Sequence, residues 1–87
     1  MAPKKPLIER MKENPQNDWT IEDVQRLCRD HGWSCHPPSN GSHWKVSHPD
    51  AGFTETIPAR RPIKPYYIKM LVHFIELIEQ AGEAVNE

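Results

Sequence analysis

The chain has 87 residues, 37% of them hydrophobic, with 11 Lys and Arg against 12 Asp and Glu and a formal net charge of -1. A chain of this size is one small domain that buries only about 60% of its unfolded surface, which excludes a second domain and a large cofactor cleft. Two cysteines do not make a disulfide framework, and no segment approaches a membrane span, so a cytoplasmic protein that does not engage a membrane is expected.

Residues 1–18 read as a basic, proline-bearing N-terminal arm with a short helix over 7–13, where Leu7, Ile8 and Met11 share one side. Lys4, Lys5 and Pro6 lead into no long apolar run, so no signal peptide is expected. Asn14-Pro15-Gln16-Asn17 ends the first helix. Thr20-Ile21-Glu22-Asp23 reads as a capping box, hydroxyl first and acid three residues on. Ile21, Val24, Leu27 and Cys28 then form an apolar stripe at helical spacing, and Gly32 suits the left-handed residue after the last turn.

Three short strands follow, over 33–36, 42–48 and 53–57, separated by Pro/Asn/Gly turns and spaced as an antiparallel meander. Pro58 is expected to close the sheet. The last helix is predicted from Pro65, which suits a first turn, to Gln80, ahead of Gly82. Tyr67, Ile68, Leu71, Val72, Phe74, Ile75, Leu77 and Ile78 give it an apolar face wider than a three-stranded sheet needs. One edge of it is therefore expected to cover the N-terminal helix or a partner. The order predicts an α+β fold, αβββα, in which two helices cover one face of a three-stranded antiparallel sheet and leave the other open. The core domain spans 19–82, with 83–87 as a C-terminal tail.

Within the second strand, Trp44 and Val46 point to one side, so His43, Lys45 and Ser47 point to the other. An imidazole and an ammonium thus share the open face just past Gly41. Charge is uneven along the chain: residues 70–87 hold four acids and no Lys or Arg. Arg60-Arg61-Pro62-Ile63-Lys64 is the richest basic run, with no acid from Thr56 to Leu71, and a patch of this kind suits a polyanion.

The element order, Gly41-Ser42-His43 opening the second strand, and Thr56-Ile57-Pro58 ending the third resemble the HicA family of toxins over roughly residues 19–80. The segment 60–65 followed by an apolar helix is similar to one branch of that family. The resemblance implies a fold like a double-stranded-RNA-binding domain, metal-independent endonucleolytic cleavage of mRNA with no cofactor, and inhibition by a HicB-type antitoxin. It places the catalytic histidine at His43 and a family glycine at Gly41. Many members carry a second histidine shortly after the strand-three proline, where this chain has Ala59-Arg60-Arg61. Residues 1–18 lie outside the short form of the family.

The chemistry is consistent with that expectation. RNA carries its own nucleophile, the 2′-hydroxyl, and an imidazole with an unperturbed pKa of ~6.5 serves as base or acid near neutrality. A nearby ammonium offsets phosphate charge. His43 is therefore the candidate catalytic residue. Gly41, Ser42, Lys45, Arg60, Arg61 and Lys64 are candidate RNA contacts, the last three ahead of a helix N-terminus. The plain alternatives are a surface histidine on a strand, a turn-capping Ser42 and a solvated basic loop. A non-catalytic RNA-binding module on the same scaffold, or a pure protein-interaction domain, competes with the enzyme.

The other histidines and the thiols have blander readings. His36 ends strand one on the polar parity, and an unknown register decides whether it approaches His43. His48 shares parity with Trp44 and is read as structural. His31 favours the helix dipole at a C-terminus, and His73 is on a polar flank. Cys28, His31, Cys35 and His36 do not follow a usual zinc spacing, and buried reduced thiols explain both cysteines. Trp44 is expected in the core, since its parity puts it opposite His43, with stacking on a base as the alternative. Tyr66 and Tyr67 are expected in the core or at an interface.

Overall fold

The computed structural model describes residues 5–85. Leu7, Ile8 and Met11 sit on one side of the first helix, α1 (Leu7–Glu13), and all three are buried. The second helix, α2 (Ile21–His31), starts at the expected capping box. The Asp23 N–H donates to Thr20 Oγ1 at 3.3 Å, and the Thr20 N–H donates to Asp23 Oδ2 at 2.9 Å. Two of the amides that a helix start leaves unpaired are thereby satisfied. The stripe Ile21, Val24, Leu27 and Cys28 is buried. The helix stops at Gly32, whose φ of 76° is left-handed. An added Cβ there meets nothing within 4 Å, so the need for glycine is conformational, not steric crowding.

Strands β1 (Ser34–His36), β2 (His43–Ser47) and β3 (Thr54–Pro58) form an antiparallel sheet in the order β1-β2-β3. Cys35 pairs with Val46, and Val46 with Glu55, while Trp44 pairs with Ile57. Val46 and Ile57 are buried against the helices, with Cys35 and Trp44 packed beside them. The β1–β2 ladder ends at His36↔Lys45. Beyond it Pro37 and Pro38 have no N–H to donate.

The last helix, α3 (Pro65–Val85), buries Ile68, Leu71, Val72 and Ile75 in the same cluster. α1 packs on part of the wide apolar face of α3 and fully buries Met11, while Leu77 of the same face is 49% exposed. Lys12 reaches Glu76 at 3.0 Å across that contact, and His31 Nδ1 lies 2.6 Å from Glu79, joining the end of α2 to α3. The α+β arrangement is the expected one, with α1 built into the core.

Two boundaries depart from expectation. Pro58 closes the sheet from within it, as the last residue of β3 opposite His43, where the strand was expected to end at Ile57. The Ala59 N–H bonds the Ser42 carbonyl at 2.7 Å, so at the adjoining position the Pro58 nitrogen faces away from β2, where a missing donor costs nothing. Gly82 does not end α3, which runs on to Val85. A helical glycine costs only about 1 kcal/mol, and Ala81, Glu83 and Ala84 beside it are good helix formers. Of the two positions expected for Tyr66, the core is excluded, because the residue is 64% exposed. Residues 1–4 of the N-terminal arm and 86–87 of the tail lie outside the described residues.

Removing the Thr20 hydroxyl removes the Asp23 amide's acceptor and half of the box. Thr20→Ala is expected to cost about 1 kcal/mol in urea unfolding, seen as a lower midpoint at unchanged slope.

Candidate nucleic-acid interface

Strand parity and register determine what the open face of the sheet carries. Ser34 and His36 of β1, His43, Lys45 and Ser47 of β2, and Thr54 and Thr56 of β3 share the side away from the helices. His36, Lys45 and Thr56 form one row across it, and His43 and Pro58 the row beside it. His43 and Lys45 are both exposed, as the alternation of the strand predicts. Glu55 is the carboxylate within the three strands, and it lies on the helix side opposite Val46. The open face is therefore cationic or neutral.

Gly41 has a φ of 80°, and it turns the chain from the proline-rich loop into β2. Ser42, next to it, is exposed, and its carbonyl takes the Ala59 amide, which tethers the start of β2 to the basic segment beyond β3. Gly41-Ser42-His43 thus lies against the strand end from which Arg60 and Arg61 depart.

The basic segment is held in place instead of being a loose loop. Ile63 is 1% exposed, and its N–H donates to the Trp19 carbonyl at 2.8 Å. The Trp19 indole N–H in turn donates to the Asn14 carbonyl at 2.7 Å. Arg61 grips the Asp18 carboxylate with two nitrogens, Nε at 3.0 Å and Nη2 at 2.6 Å. This hydrogen bond, with the charge behind it, holds the Asp18 carboxyl below its usual range and raises the guanidinium. An exposed pair of this kind adds little to stability, but a bidentate one sets direction. Among the described residues Lys45, Arg60 and Lys64 have no carboxylate within ion-pair distance.

Pro58, Arg60, Arg61, Pro62, Lys64 and Tyr67 line a groove of about 450 Å³. It starts at the residue paired with His43 and carries cations along apolar walls. The Tyr67 ring, half-buried, stands edge-on to that of Tyr66 at 5.2 Å. An anionic chain with stacked rings would find both kinds of contact there.

Every sequence-predicted site residue falls in this region, but they divide into two groups. His43 and Lys45 are on the open sheet face, and Arg60, Arg61 and Lys64 border the groove. Arg61 differs from the other two because Asp18 already occupies it. Tyr67 packs against the core, as expected, and also lines the groove. Asp18 gave no local signal, since its partner is 43 residues away.

The remaining histidines and the thiols are placed elsewhere. His48 Nδ1 accepts the Asp50 N–H at 3.0 Å, and its ring packs on Trp33 at a centroid distance of 5.2 Å, a structural role. His73 is exposed on α3. Cys28 and Cys35 are free thiols, the first buried and the second half-buried. The neighbouring Cys35 thiol, then burial, pushes the Cys28 thiol up, and the neighbouring Cys28 lowers Cys35. With His31 held by Glu79 and His36 on the other side of the sheet, the four suggested zinc ligands do not converge. Among the described residues no group of three or more His, Cys, Asp or Glu is placed to hold a metal ion. Among them, too, no helix is long and apolar enough to cross a membrane.

Comparisons with protein-family models, curated proteins and solved structures return no match. The functional reading therefore rests on the residues themselves and on the open face they build.

The Arg61–Asp18 pair can be read directly. Its contribution is complete above the ordinary Asp value of ~3.9 and fades as pH falls through the lower folded value. In a carboxyl-detected NMR titration the Asp18 midpoint is expected below ~3.9 and should rise toward it in Arg61→Gln.

Proposed function

We propose that this chain is a HicA-type toxin, a cytoplasmic endoribonuclease that cleaves mRNA and is held inactive by a HicB-type antitoxin. The observation that supports it most is the pairing of an exposed histidine and lysine on an open, carboxylate-free sheet face with a cation-lined groove beginning at the histidine's cross-strand partner. The αβββα order and Gly41-Ser42-His43 at the start of β2 add the family resemblance.

The strands and the groove divide the work. Arg60 and Lys64 hold the RNA backbone beside the sheet, and Tyr67 offers a ring edge or face to a base. Arg61 lines the groove while its bond to Asp18 holds the loop in position. Lys45 faces the scissile phosphate and offsets the charge that builds on it. The 2′-hydroxyl attacks phosphorus, and His43 moves a proton at one of the two reacting oxygens. Gly41 supplies the left-handed turn that presents Ser42 and His43 at the end of the strand, and Ser42 lies within reach of the same phosphate. An acidic antitoxin surface placed over Arg60 and Lys64 would cover the groove that RNA needs.

A non-catalytic RNA-binding module is the second reading, favoured by the groove alone, which needs no histidine to bind a nucleic acid. The two separate cleanly in a cleavage assay on purified RNA. His43→Ala is expected to lower the rate by about 100-fold or more while leaving binding in place. Wild-type protein that retains RNA but yields no products would favour the binding module. Arg60→Ala and Lys64→Ala should each weaken binding across sequences and shallow its salt dependence by about one counterion. Cleavage is expected to continue in excess chelator; activity lost on chelation and restored by zinc would contradict the metal-independent mechanism.

A further inference from the structure

We infer that His36 is a second catalytic residue, the proton carrier that works opposite His43. This rests on the ribonuclease reading and adds to it the partner that a single histidine leaves unassigned. Cleavage by the 2′-hydroxyl moves two protons, one off the attacking oxygen and one onto the leaving oxygen. If the step is to be catalysed at both oxygens, a second proton carrier must stand near His43.

The register supplies one. His36 pairs with Lys45, and His43 lies two residues before Lys45 on the same strand. His36 and His43 are therefore diagonal neighbours on one face, a relation that sets side chains roughly 7–8 Å apart. In an in-line displacement the attacking and leaving oxygens lie on opposite sides of phosphorus. A proton carrier must approach each within about 2.6–3.2 Å. Two imidazoles at diagonal positions, each exposed, span that arrangement, and Lys45 stands next to both.

The surroundings leave little else to do the work. The ionisable groups on the open face of the strands are His36, His43 and Lys45, since Cys35 and Glu55 lie on the helix side. The loop over 37–42 carries no ionisable side chain. β1 is an edge strand, so β2 is its one neighbour in the sheet, and α2 packs on its other side. His31 is occupied by Glu79, and His48 by Asp50 and Trp33. β1 ends at His36, where Pro37 and Pro38 follow, and the ring is exposed.

The step balances without an outside reagent. The 2′-oxygen–phosphorus bond forms as the phosphorus–5′-oxygen bond breaks. One imidazole takes the 2′-hydroxyl proton, and the other, as imidazolium, gives a proton to the departing 5′-oxygen. The products are a 2′,3′-cyclic phosphate and a 5′-hydroxyl.

The test compares wild type, His36→Gln and His43→Gln on an RNA oligonucleotide and on the same oligonucleotide with sulfur replacing the bridging 5′-oxygen at the cleavage site. Circular dichroism checks that both variants fold. A thiolate leaves without a proton, so it removes the need for the acid alone. The inference predicts a bell-shaped pH–rate profile for wild type. It also predicts a loss of about 100-fold or more in each variant, with one limb of the bell missing in each. The sulfur substrate should restore one variant and not the other. His36→Gln that cleaves within about threefold of wild type and keeps both limbs would overturn the inference while the ribonuclease reading stands. A slowed His36→Gln with both limbs intact, and no selective rescue by sulfur in either variant, would reduce His36 to a binding or structural role and overturn it too. Wild-type protein that leaves RNA uncut would overturn the underlying reading and this inference with it.

Discussion

The alternation of β2 is the constraint on which the rest of the structure depends. Val46 is fully buried, packed among residues of the core, while its neighbours Lys45 and Ser47 point the other way. A slip of one residue would drive Lys45 toward the helices and Val46 into water. Burying a lone ammonium without a partner is far more costly than leaving it in solvent. The hydrophobic requirement at Val46 and Trp44 therefore also sets the positions of His43 and Lys45, so the same pattern that folds the domain arranges the candidate chemistry.

Two further devices hold the basic segment beside that face. The Ala59 amide continues the β2–β3 ladder to Ser42, and the Ile63 amide bonds the Trp19 carbonyl ahead of α2. Ile63 is buried between the cations, so Arg60 and Lys64 sit on a loop with an apolar anchor. The Arg61–Asp18 bridge adds direction more than stability, because both side chains are exposed. A small domain thereby presents a cationic groove with few mobile parts, which reduces the ordering cost when a ligand binds.

Much of the fold was legible because its signals are local. Leu7, Ile8 and Met11, the Thr20–Asp23 box, the stripe from Ile21 to Cys28 and the left-handed Gly32 each act within one or two helical turns. The parity of His43 and Lys45 was legible for the same reason. The misreadings came where a weak local rule met a stronger neighbour. Gly82 is too mild a breaker to stop a helix that has Ala81, Glu83 and Ala84 around it, and Pro58 is taken into β3 because its nitrogen faces away from β2. What was not legible depends on distance along the chain. The Asp18–Arg61 bridge joins two loops, and the approach of His36 to His43 depends on a register that a proline-rich connection does not reveal.

The central claim is that RNA lies across the open sheet face and into the groove beside it. The most direct measurement is a backbone and imidazole NMR titration with a 2′-O-methyl RNA, which binds but has no free nucleophile. The account predicts that the largest shifts fall on Ser42, His43, Lys45, Arg60, Lys64 and Tyr67, and that α1 and the outer face of α3 stay unmoved. Shifts confined to α1 and α3, or no shifts at low salt, would contradict it.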